Sequence, residues 1–456
     1  MGDTTASIQE RFPFQEDEID ILLRMYREMT SSSSSSSSNS SNHVAGTFDK
    51  TLSTTMTNLL PARCVSTLLQ QSIDSSFCFI DSPLNKFLEG ISILLGRRGP
   101  RPVLDTIWSC CNVEGEIVAT KIKLWNWIYR ISKASCWVLS TDSDTLLEVE
   151  ESIHIPNEWQ LADVSSRSQF IQWTNSTFPQ LYAAVATLFH SILLPNLANG
   201  KTPVLRVPKF DKPSAILTMN EVSLALMSEK FQGHWRRLYN NLDDGSSFEL
   251  LQKSLIGYQG PTTILIQTTR GEVFGYFTEC PWKLSSKWFG APGSNVSHFY
   301  DNADSFLFTL VPNVHIYPAT GCGKWYQYLH IPASHQSQQM KGLCIGGIAS
   351  NCPRIHLTTD LNHCKATSID STYENGLLLH EGHHFFDAGV IEVYATSVID
   401  VHYKRNQSMG QLQTDMAESH RIHIATVDKT QFLDMVSGFI RPLGVAHLDS
   451  MEHRHD

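Results

Sequence analysis

The spacing of apolar and polar residues predicts helices in the first half of the chain and short strands in the second. Residues 12–29 repeat apolar positions at the spacing of an amphipathic helix, and helical periodicity returns over residues 48–140 and 166–240. From residue 243, apolar runs that alternate with a period of two recur between Gly, Pro and Asn turns. Such runs are typical of an antiparallel arrangement of two sheets. The pattern predicts an α+β protein.

The clearest strand signal is a hairpin. Two runs of β-branched and aromatic residues, Thr262–Thr268 and Glu272–Thr278, flank a turn in which Gly271 can adopt the positive φ of a tight reversal. A later run, SFLFTLV, alternates in a way that places Leu307 and Val311 on one face and other large apolar residues on the opposite face. We therefore expect this later strand to be covered on both sides.

These patterns divide the chain into five segments. In order they are an N-terminal helix with a serine-rich linker (1–47), a helical lobe (48–140), a helical connecting region (141–240), a strand-rich domain (241–397) and a C-terminal tail (398–456). The tail contains an amphipathic stripe over residues 428–440. Its apolar positions include Phe432, Leu433, Met435, Val436 and Phe439. A helix of this kind packs on its own domain or binds in a partner's groove.

Within the helical lobe, the sequence DTIWSCCNVEGEIVATKIKLWNWI has the outline of an EF-hand. If Gly115 is the sixth loop residue, Cys110 stands where aspartate is expected and Lys121 stands where glutamate should close the shell. Because a lysine repels the ion at that position, we favour a degenerate, structural EF-hand-like pair over a calcium site.

Two features bear on membrane attachment. The apolar segment 178–195 has a proline near each end and is interrupted by His190, which leaves it short of the ~20 residues that cross a bilayer. We expect a buried helix there and no transmembrane span. Met1-Gly2 begins like a myristoylation site, yet Ala6 stands where that pattern requires Ser or Thr.

Composition narrows the function classes. The formal net charge is −10 and the isoelectric point is near 6.0, which argues against a nucleic-acid-binding protein because such proteins present a basic face. The ten cysteines form no C-x-x-C pair or ladder of short spacings, so neither a zinc ribbon nor a disulfide framework is indicated. We expect reduced thiols and a cytoplasmic protein.

One short motif suggests an enzyme. The sequence HEGHH satisfies H-E-x-x-H, in which a helix would place His380 and His384 around zinc while Glu381 activates the bound water. However, Gly376 and Gly389 leave little room for a helix, and the third metzincin histidine is missing. We favour a polar loop and keep a zinc-dependent hydrolase as an alternative.

A second alternative is a thiol-based antioxidant. Cys322 lies between two glycines in a predicted turn, where it could be exposed and oxidisable. Glu392 alternates with apolar residues in a predicted strand, and as a buried carboxylate it would need hydrogen-bond donors. For Glu392 we therefore favour a structural role over catalysis.

A series of motifs then identifies a resemblance. Between Asp244 and Thr396 the chain contains, in order, DGSSFELL, GPTTILIQTTRGEVFGYF, DSFLFTLVP, GLCIGG, RIHLTTDL, STYEN and IEVYA. This series closely resembles a TLDc domain, and the helical segments and C-terminal helix are similar to the EAK-type, mTOR-associated lysosomal branch of that family. The resemblance implies an EF-hand-like helical region followed by an antiparallel β-sandwich with flanking helices.

The resemblance also implies a function. TLDc proteins have no established enzymatic reaction or cofactor; they act in oxidative-stress resistance and nutrient signalling and bind the vacuolar proton pump (V-ATPase). The family motif positions correspond here to Gly275, Gly346, Gly347 and Glu392. In this branch an acylated N-terminus, here Gly2, and the C-terminal helix contribute to pump and membrane attachment. We therefore expect a non-enzymatic adaptor, peripheral at the lysosomal or vacuolar membrane, with V-ATPase subunits and mTOR-pathway proteins as partners.

Overall fold

The computed structural model describes most of the chain before residue 398. The described residues are 5–31, 83–124, 127–128, 131, 164–194, 197, 202–217, 221–282, 284, 304–322, 325–330, 341–349 and 352–397. They all lie within one compact unit, Met1–Ile399, and residues 398–456 lie outside the described residues. The predicted serine-rich linker, the C-terminal stripe and Gly2 also lie outside them.

Helices dominate the first half of the described chain. They are α1 (Thr5–Arg11), α2 (Glu16–Ser31), α3 (Pro83–Leu94), α4 (Pro100–Cys111), α5 (Arg167–Thr177), α6 (Leu181–Leu193), α7 (Glu221–Met227), α8 (Asn241–Asp244) and α9 (Phe248–Ile256). Local sequence explains several of their ends: Ser166 and Ser247 accept hydrogen bonds from Gln169 N and Glu249 N at the starts of α5 and α9.

The amphipathic pattern near the N-terminus corresponds to α2, whose Ile19 and Leu22 are fully buried. A buried ion pair holds this region in place, because the Arg97 guanidinium binds both carboxylate oxygens of Glu18. Arg97 also donates to the Pro13 carbonyl at 2.8 Å. The N-terminal helices are thereby joined to the turn that follows α3.

The apolar segment 178–195 forms α6, a 13-residue helix whose residues are almost all buried. This confirms the prediction of a core helix. In the part of the chain that the structure describes, no helix combines the length and the apolar character needed to cross a membrane.

The EF-hand-like outline appears as α4, a turn with Gly115 at φ 77°, and a helical segment at residues 117–124. Cys110 lies in the last turn of α4, and Lys121 lies within the second helix. The assignment of this pair as a degenerate, structural EF-hand-like unit stays a prediction.

The strands form two sheets. They are β1 (Lys209–Phe210), β2 (His234–Asn240), β3 (Thr262–Thr268), β4 (Val273–Thr278), β5 (Phe306–Val311), β6 (His315–Pro318), β7 (Gln327–His330), β8 (Gly342–Ile345), β9 (Ile355–Leu357), β10 (Cys364–Ala366), β11 (Phe385–Phe386) and β12 (Ala388–Ser397). The seven-stranded sheet has the order β1-β2-β12-β3-β4-β5-β6, and the five-stranded sheet has the order β11-β10-β9-β8-β7. The predicted hairpin is β3–β4, the centre of the larger sheet. The expectation of purely antiparallel strands is wrong at one edge, where β1 pairs with β2 in parallel.

The prediction of helical structure up to residue 240 is also wrong at the end of the connecting region. The residues from 234 onward form β2, which pairs with β12 along most of its length. Trp235 is buried in the cluster shared with the helices and Tyr239 in the cluster shared with the smaller sheet, because a β-bulge at Leu238 interrupts the alternation of the strand. The predicted boundary at residue 241 left this strand outside the strand-rich domain, whereas the larger sheet includes it.

The larger sheet is covered on both faces. On one face, side chains such as Phe277 and Phe308 share a hydrophobic cluster with the helices, and on the other, side chains such as Phe274 and Leu307 share a cluster with the smaller sheet. The prediction that β5 is covered on both sides is confirmed. Val311 packs toward the helices rather than beside Leu307, because a β-bulge at Leu310 reverses the alternation.

Candidate functional site

Gly275 lies in β4, at the centre of the larger sheet. A Cβ atom at this position would lie 2.4 Å from Cζ of Phe308 on β5 and 2.5 Å from the carbonyl oxygen of Ile264 on β3. Both distances are shorter than any van der Waals contact, so only glycine lets the three strands pack here. This motif glycine therefore permits the close packing of β4 against its two neighbouring strands.

Gly346 and Gly347 follow β8 with φ of 64° and 124°. At Gly347 a Cβ atom would lie 2.3 Å from the carbonyl oxygen of Cys352, and at Gly346 it would lie 2.4 Å from Oδ2 of Asp370. The amide N–H groups of Gly347 and Thr372 each donate to Oδ1 of Asp370 at 2.8 Å. The two glycines therefore let the buried carboxylate of Asp370, which belongs to a second loop, approach the backbone that follows β8.

That loop, residues 368–376, is organised by the fully buried guanidinium of Arg354. Arg354 donates to the carbonyl oxygens of Ser368 at 3.2 Å, Glu374 at 3.2 Å and Gly376 at 2.6 Å. Burial lowers the pKa of Arg354 and raises the pKa of Asp370, because both side chains are removed from water. Among the described residues, Arg354 Nε and Asp370 Oδ2 have no hydrogen-bond partner.

Glu392 lies in β12 and is fully buried. Its carboxylate accepts from the Ser214 hydroxyl, from the Ala215 amide at 2.9 Å, from Asn240 Nδ2 at 3.0 Å and from the Tyr394 hydroxyl at 3.2 Å. Four neutral donors thus solvate the charge in place of water. They also fasten the segment around Ser214 to the sheet, which is the structural hydrogen-bonding role expected from the sequence.

The H-E-x-x-H segment is an exposed loop. Residues 380–384 are bends and turns before β11, with Gly382 at φ 83°. His380 and His384 therefore do not lie one helical turn apart, and the helical zinc site predicted as an alternative is wrong in its geometry. Throughout the described ranges, His, Cys, Asp and Glu side chains form no group of three or more that could hold a metal ion.

This histidine loop is attached to the β3–β4 turn through Glu272, which is fully buried. Its carboxylate accepts from Thr268 Oγ1 at 2.5 Å and from the His380 amide at 3.3 Å, and it lies 3.4 Å from Arg270 Nε. His383 Nδ1 is 3.5 Å from the same carboxylate. Burial alone raises the pKa of Glu272, but these hydrogen bonds and the charge of Arg270 lower it overall.

Cys322 is exposed, as expected from its position in a turn. Its amide donates to Thr320 Oγ1 at 3.2 Å. The described cysteines are all free thiols, and burial raises the pKa of Cys280 to about 12. Buried thiols of this kind behave as small apolar side chains.

Three buried charged residues at this site were not predicted from the sequence: Glu272, Arg354 and Asp370. Glu272 and Arg354 could have been found as charged residues next to or within apolar strand runs, since such positions are buried only when a partner compensates the charge. Asp370 carries no comparable signal, because its partners depend on the folding of two separate loops.

Comparison with known proteins identifies the region that contains all these residues. Residues 210–397 match the sequence model of the TLDc domain. This part of the chain is a TLDc domain. The domain begins at β1, about thirty residues before the boundary predicted from the sequence, and therefore contains β2.

Among similar proteins, MTOR-associated protein MEAK7 of Gallus gallus is 29% identical over 192 residues, which cover 41% of this chain and 36% of that protein. Its counterpart in Xenopus laevis is 26% identical over 192 residues, 40% of this chain and 36% of that protein. Oxidation resistance protein 1 of Xenopus tropicalis is 24% identical over 135 residues, 28% of this chain and 14% of that protein. The matched part thus spans about a third or less of each relative's length.

Proposed function

We propose that the protein is a non-enzymatic TLDc adaptor that binds V-ATPase at lysosomal or vacuolar membranes. The observation that supports this proposal is that the TLDc motif residues make packing and hydrogen-bond contacts within the fold. Gly275, Gly346 and Gly347 permit close backbone packing, and the Glu392 carboxylate is occupied by four neutral donors within the fold. These residues build a rigid scaffold, and rigid scaffolds without a reactive group suit binding.

The names of the relatives support a place in nutrient and stress signalling. MTOR-associated protein MEAK7 and oxidation resistance protein 1 are each similar to part of this chain. We extend the association with the mTOR pathway and with oxidative-stress resistance to this chain. The adaptor would be cytoplasmic and peripheral at the membrane.

The C-terminal stripe is the element we assign to pump binding. An amphipathic helix bound in a groove places its apolar side chains at i, i+3, i+4 and i+7. Phe432, Met435, Val436 and Phe439 follow that spacing, and Leu433 borders the same stripe. Aromatic side chains at the centre of such an interface contribute most of the binding energy. Phe432 and Phe439 are therefore the residues to change.

The test is a pull-down of V-ATPase subunits from detergent-solubilised lysosomal membranes. We expect the intact chain to retain the subunits, and we expect a chain that ends at Ala425, or one with Phe432→Glu and Phe439→Glu, to lose them. Asp434→Asn, on the face of the same helix opposite the apolar stripe, is the matched control and should bind normally. If the intact chain retains no subunit, the adaptor proposal fails; equal retention by all variants would remove the helix from the interface.

A further inference from the structure

Residues 242–247, from α8 to the start of α9, are all exposed, and Gly245 at φ 96° ends the single turn of α8. Two adjacent serines in this segment differ in their contacts. Ser247 caps α9, because its hydroxyl accepts from the Glu249 amide at 3.2 Å. Ser246 is exposed as well, and among the described residues its hydroxyl has no hydrogen-bond partner. Of the two serines, Ser246 is therefore the one whose hydroxyl is free to react.

Carboxylates flank Ser246 on both sides along the chain. Asp243 and Asp244 precede it by three and two residues, and Glu249 follows it by three. The Asp243 side chain is 57% exposed and pairs with Arg237. Glu249 is exposed and forms no ion pair with a described residue. Because protein kinases select a serine partly by the charges around it, this segment suits a kinase whose peptide groove is basic.

The structure distinguishes Ser246 from two other positions with the same spacing. Thr269 and Ser371 also precede a glutamate by three residues. The glutamate that follows Thr269 is Glu272, whose carboxylate is fully buried and hydrogen-bonded within the fold, so a kinase groove cannot reach it. Ser371 is half-buried, and its hydroxyl donates to the Gly347 carbonyl at 2.8 Å. Of the three positions, Ser246 alone combines a free hydroxyl with an accessible carboxylate.

We propose that Ser246 is phosphorylated by an acid-directed serine/threonine kinase. The Ser246 oxygen attacks the γ-phosphorus of ATP, and a new O–P bond forms while the bond from that phosphorus to the ADP oxygen breaks. The hydroxyl proton passes to the catalytic base of the kinase. Glu249 pairs with a basic side chain in the groove. It lies in the first turn of α9, and because helix ends fray, the segment can extend along the groove.

The phosphate changes the surface charge of this segment more than its fold. A phosphoserine carries about −1.5 to −2 charges at pH 7. At position 246 it lies close in sequence to Asp243 and Asp244, which repel it, and just before α9, whose N-terminus favours negative charge. Since these two effects oppose each other, the modification marks the surface by its charge.

Incubation of the full chain with ATP and an acid-directed kinase of the casein-kinase type tests the proposal. Mass spectrometry with peptide fragmentation should find a phosphoryl group on Ser246 and none on Ser371. Ser246→Ala should remove the phosphoryl group from this peptide, whereas Ser247→Ala should keep it. A folded chain that stays unmodified at residue 246, or one modified on Ser247 in place of Ser246, would overturn the proposal.

The initial rate of phosphorylation tests the role of the carboxylate. Glu249→Gln removes one charge and keeps the size of the side chain, so we expect the rate at Ser246 to fall about tenfold. Glu381→Gln changes another exposed glutamate and is the matched control, which should be phosphorylated at the original rate. Circular dichroism checks that both variants are folded. An unchanged rate for Glu249→Gln would refute recognition by an acid-directed kinase.

Discussion

Among the TLDc motif residues, Gly275 is the one whose identity has the clearest physical cause: there is no room for a side chain at this position. A methyl group there would meet Phe308 on one side and the Ile264 carbonyl on the other. We expect Gly275→Ala to lower the free energy of unfolding by about 1–3 kcal/mol, the usual cost of overpacking a core. Denaturant titration measures the loss.

Gly271 provides the control for this change. It has a φ of 92°, and a Cβ atom there would meet nothing within 4 Å. Because asparagine tolerates this backbone region, Gly271→Asn should change the unfolding free energy far less than Gly275→Ala. Equal losses for the two variants would mean that close packing at Gly275 is unimportant.

The sequence could predict that Glu392 needs donors, but it could not predict which residues supply them. Ser214 and Asn240 lie 178 and 152 positions away along the chain, so only the tertiary fold brings them to the carboxylate. The roles of the motif glycines are likewise fixed by long-range contacts. The sequence around a residue therefore indicates that a buried carboxylate requires hydrogen-bond donors. Which residues supply those donors depends on the tertiary fold.

At the scale of elements, the β3–β4 hairpin was predictable because everything that specifies it is local. The two strands are adjacent along the chain, and Gly271 makes the turn between them. By contrast, β2 lies between the short β1 and β12, and β12, with which it pairs along most of its length, follows about 150 residues later in the chain. Its sequence has mixed periodicity, so tertiary pairing overrides the local helical signal.

The link between this hairpin and the histidine loop should weaken in acid. Because the pKa of Glu272 in the folded protein is below its ordinary value of 4.5, its contribution to stability is present above about pH 4.5 and is lost as the pH falls through the folded pKa. We therefore expect the stability difference between the original chain and Glu272→Gln to be largest near neutral pH and to shrink below pH 4.5.

The measurement is the unfolding free energy of both chains from pH 7 to pH 3. Glu381→Gln, a change in the exposed part of the same loop, is the control, and its difference from the original chain should stay small across the range. A difference for Glu272→Gln that is independent of pH would show that the carboxylate charge does not hold the loop.

At the scale of the whole molecule, the helices and the TLDc sheet share one hydrophobic cluster. Phe14 and Leu22 near the N-terminus belong to the same cluster as Phe277, Phe306 and Phe308 on the sheet. The cluster on this face of the sheet therefore combines residues outside the 210–397 match with residues inside it, such as Phe231, which packs on Phe306 and Phe308. The sequence patterns indicated separate lobes, because periodicity reveals which face is apolar but not what covers it.

This shared cluster predicts that residues 210–397 alone lack part of their core. Without the preceding helices, Leu265, Val273, Phe277, Phe306 and Phe308 would lose part of their cover, although Phe231 would still pack on the three phenylalanines. Fully exposing a large apolar side chain costs about 1.5–3 kcal/mol, so half-exposing five of them costs on the order of 5 kcal/mol. That is comparable with the ~5–15 kcal/mol that stabilises a typical native protein.

We therefore expect residues 210–397 to bind a hydrophobic dye and to lack a cooperative thermal transition, whereas residues 1–399 should unfold cooperatively without binding the dye. If the shorter chain unfolds cooperatively with the stability of the longer one, the helices are an independent lobe and the shared cluster contributes little to the stability of the sheet.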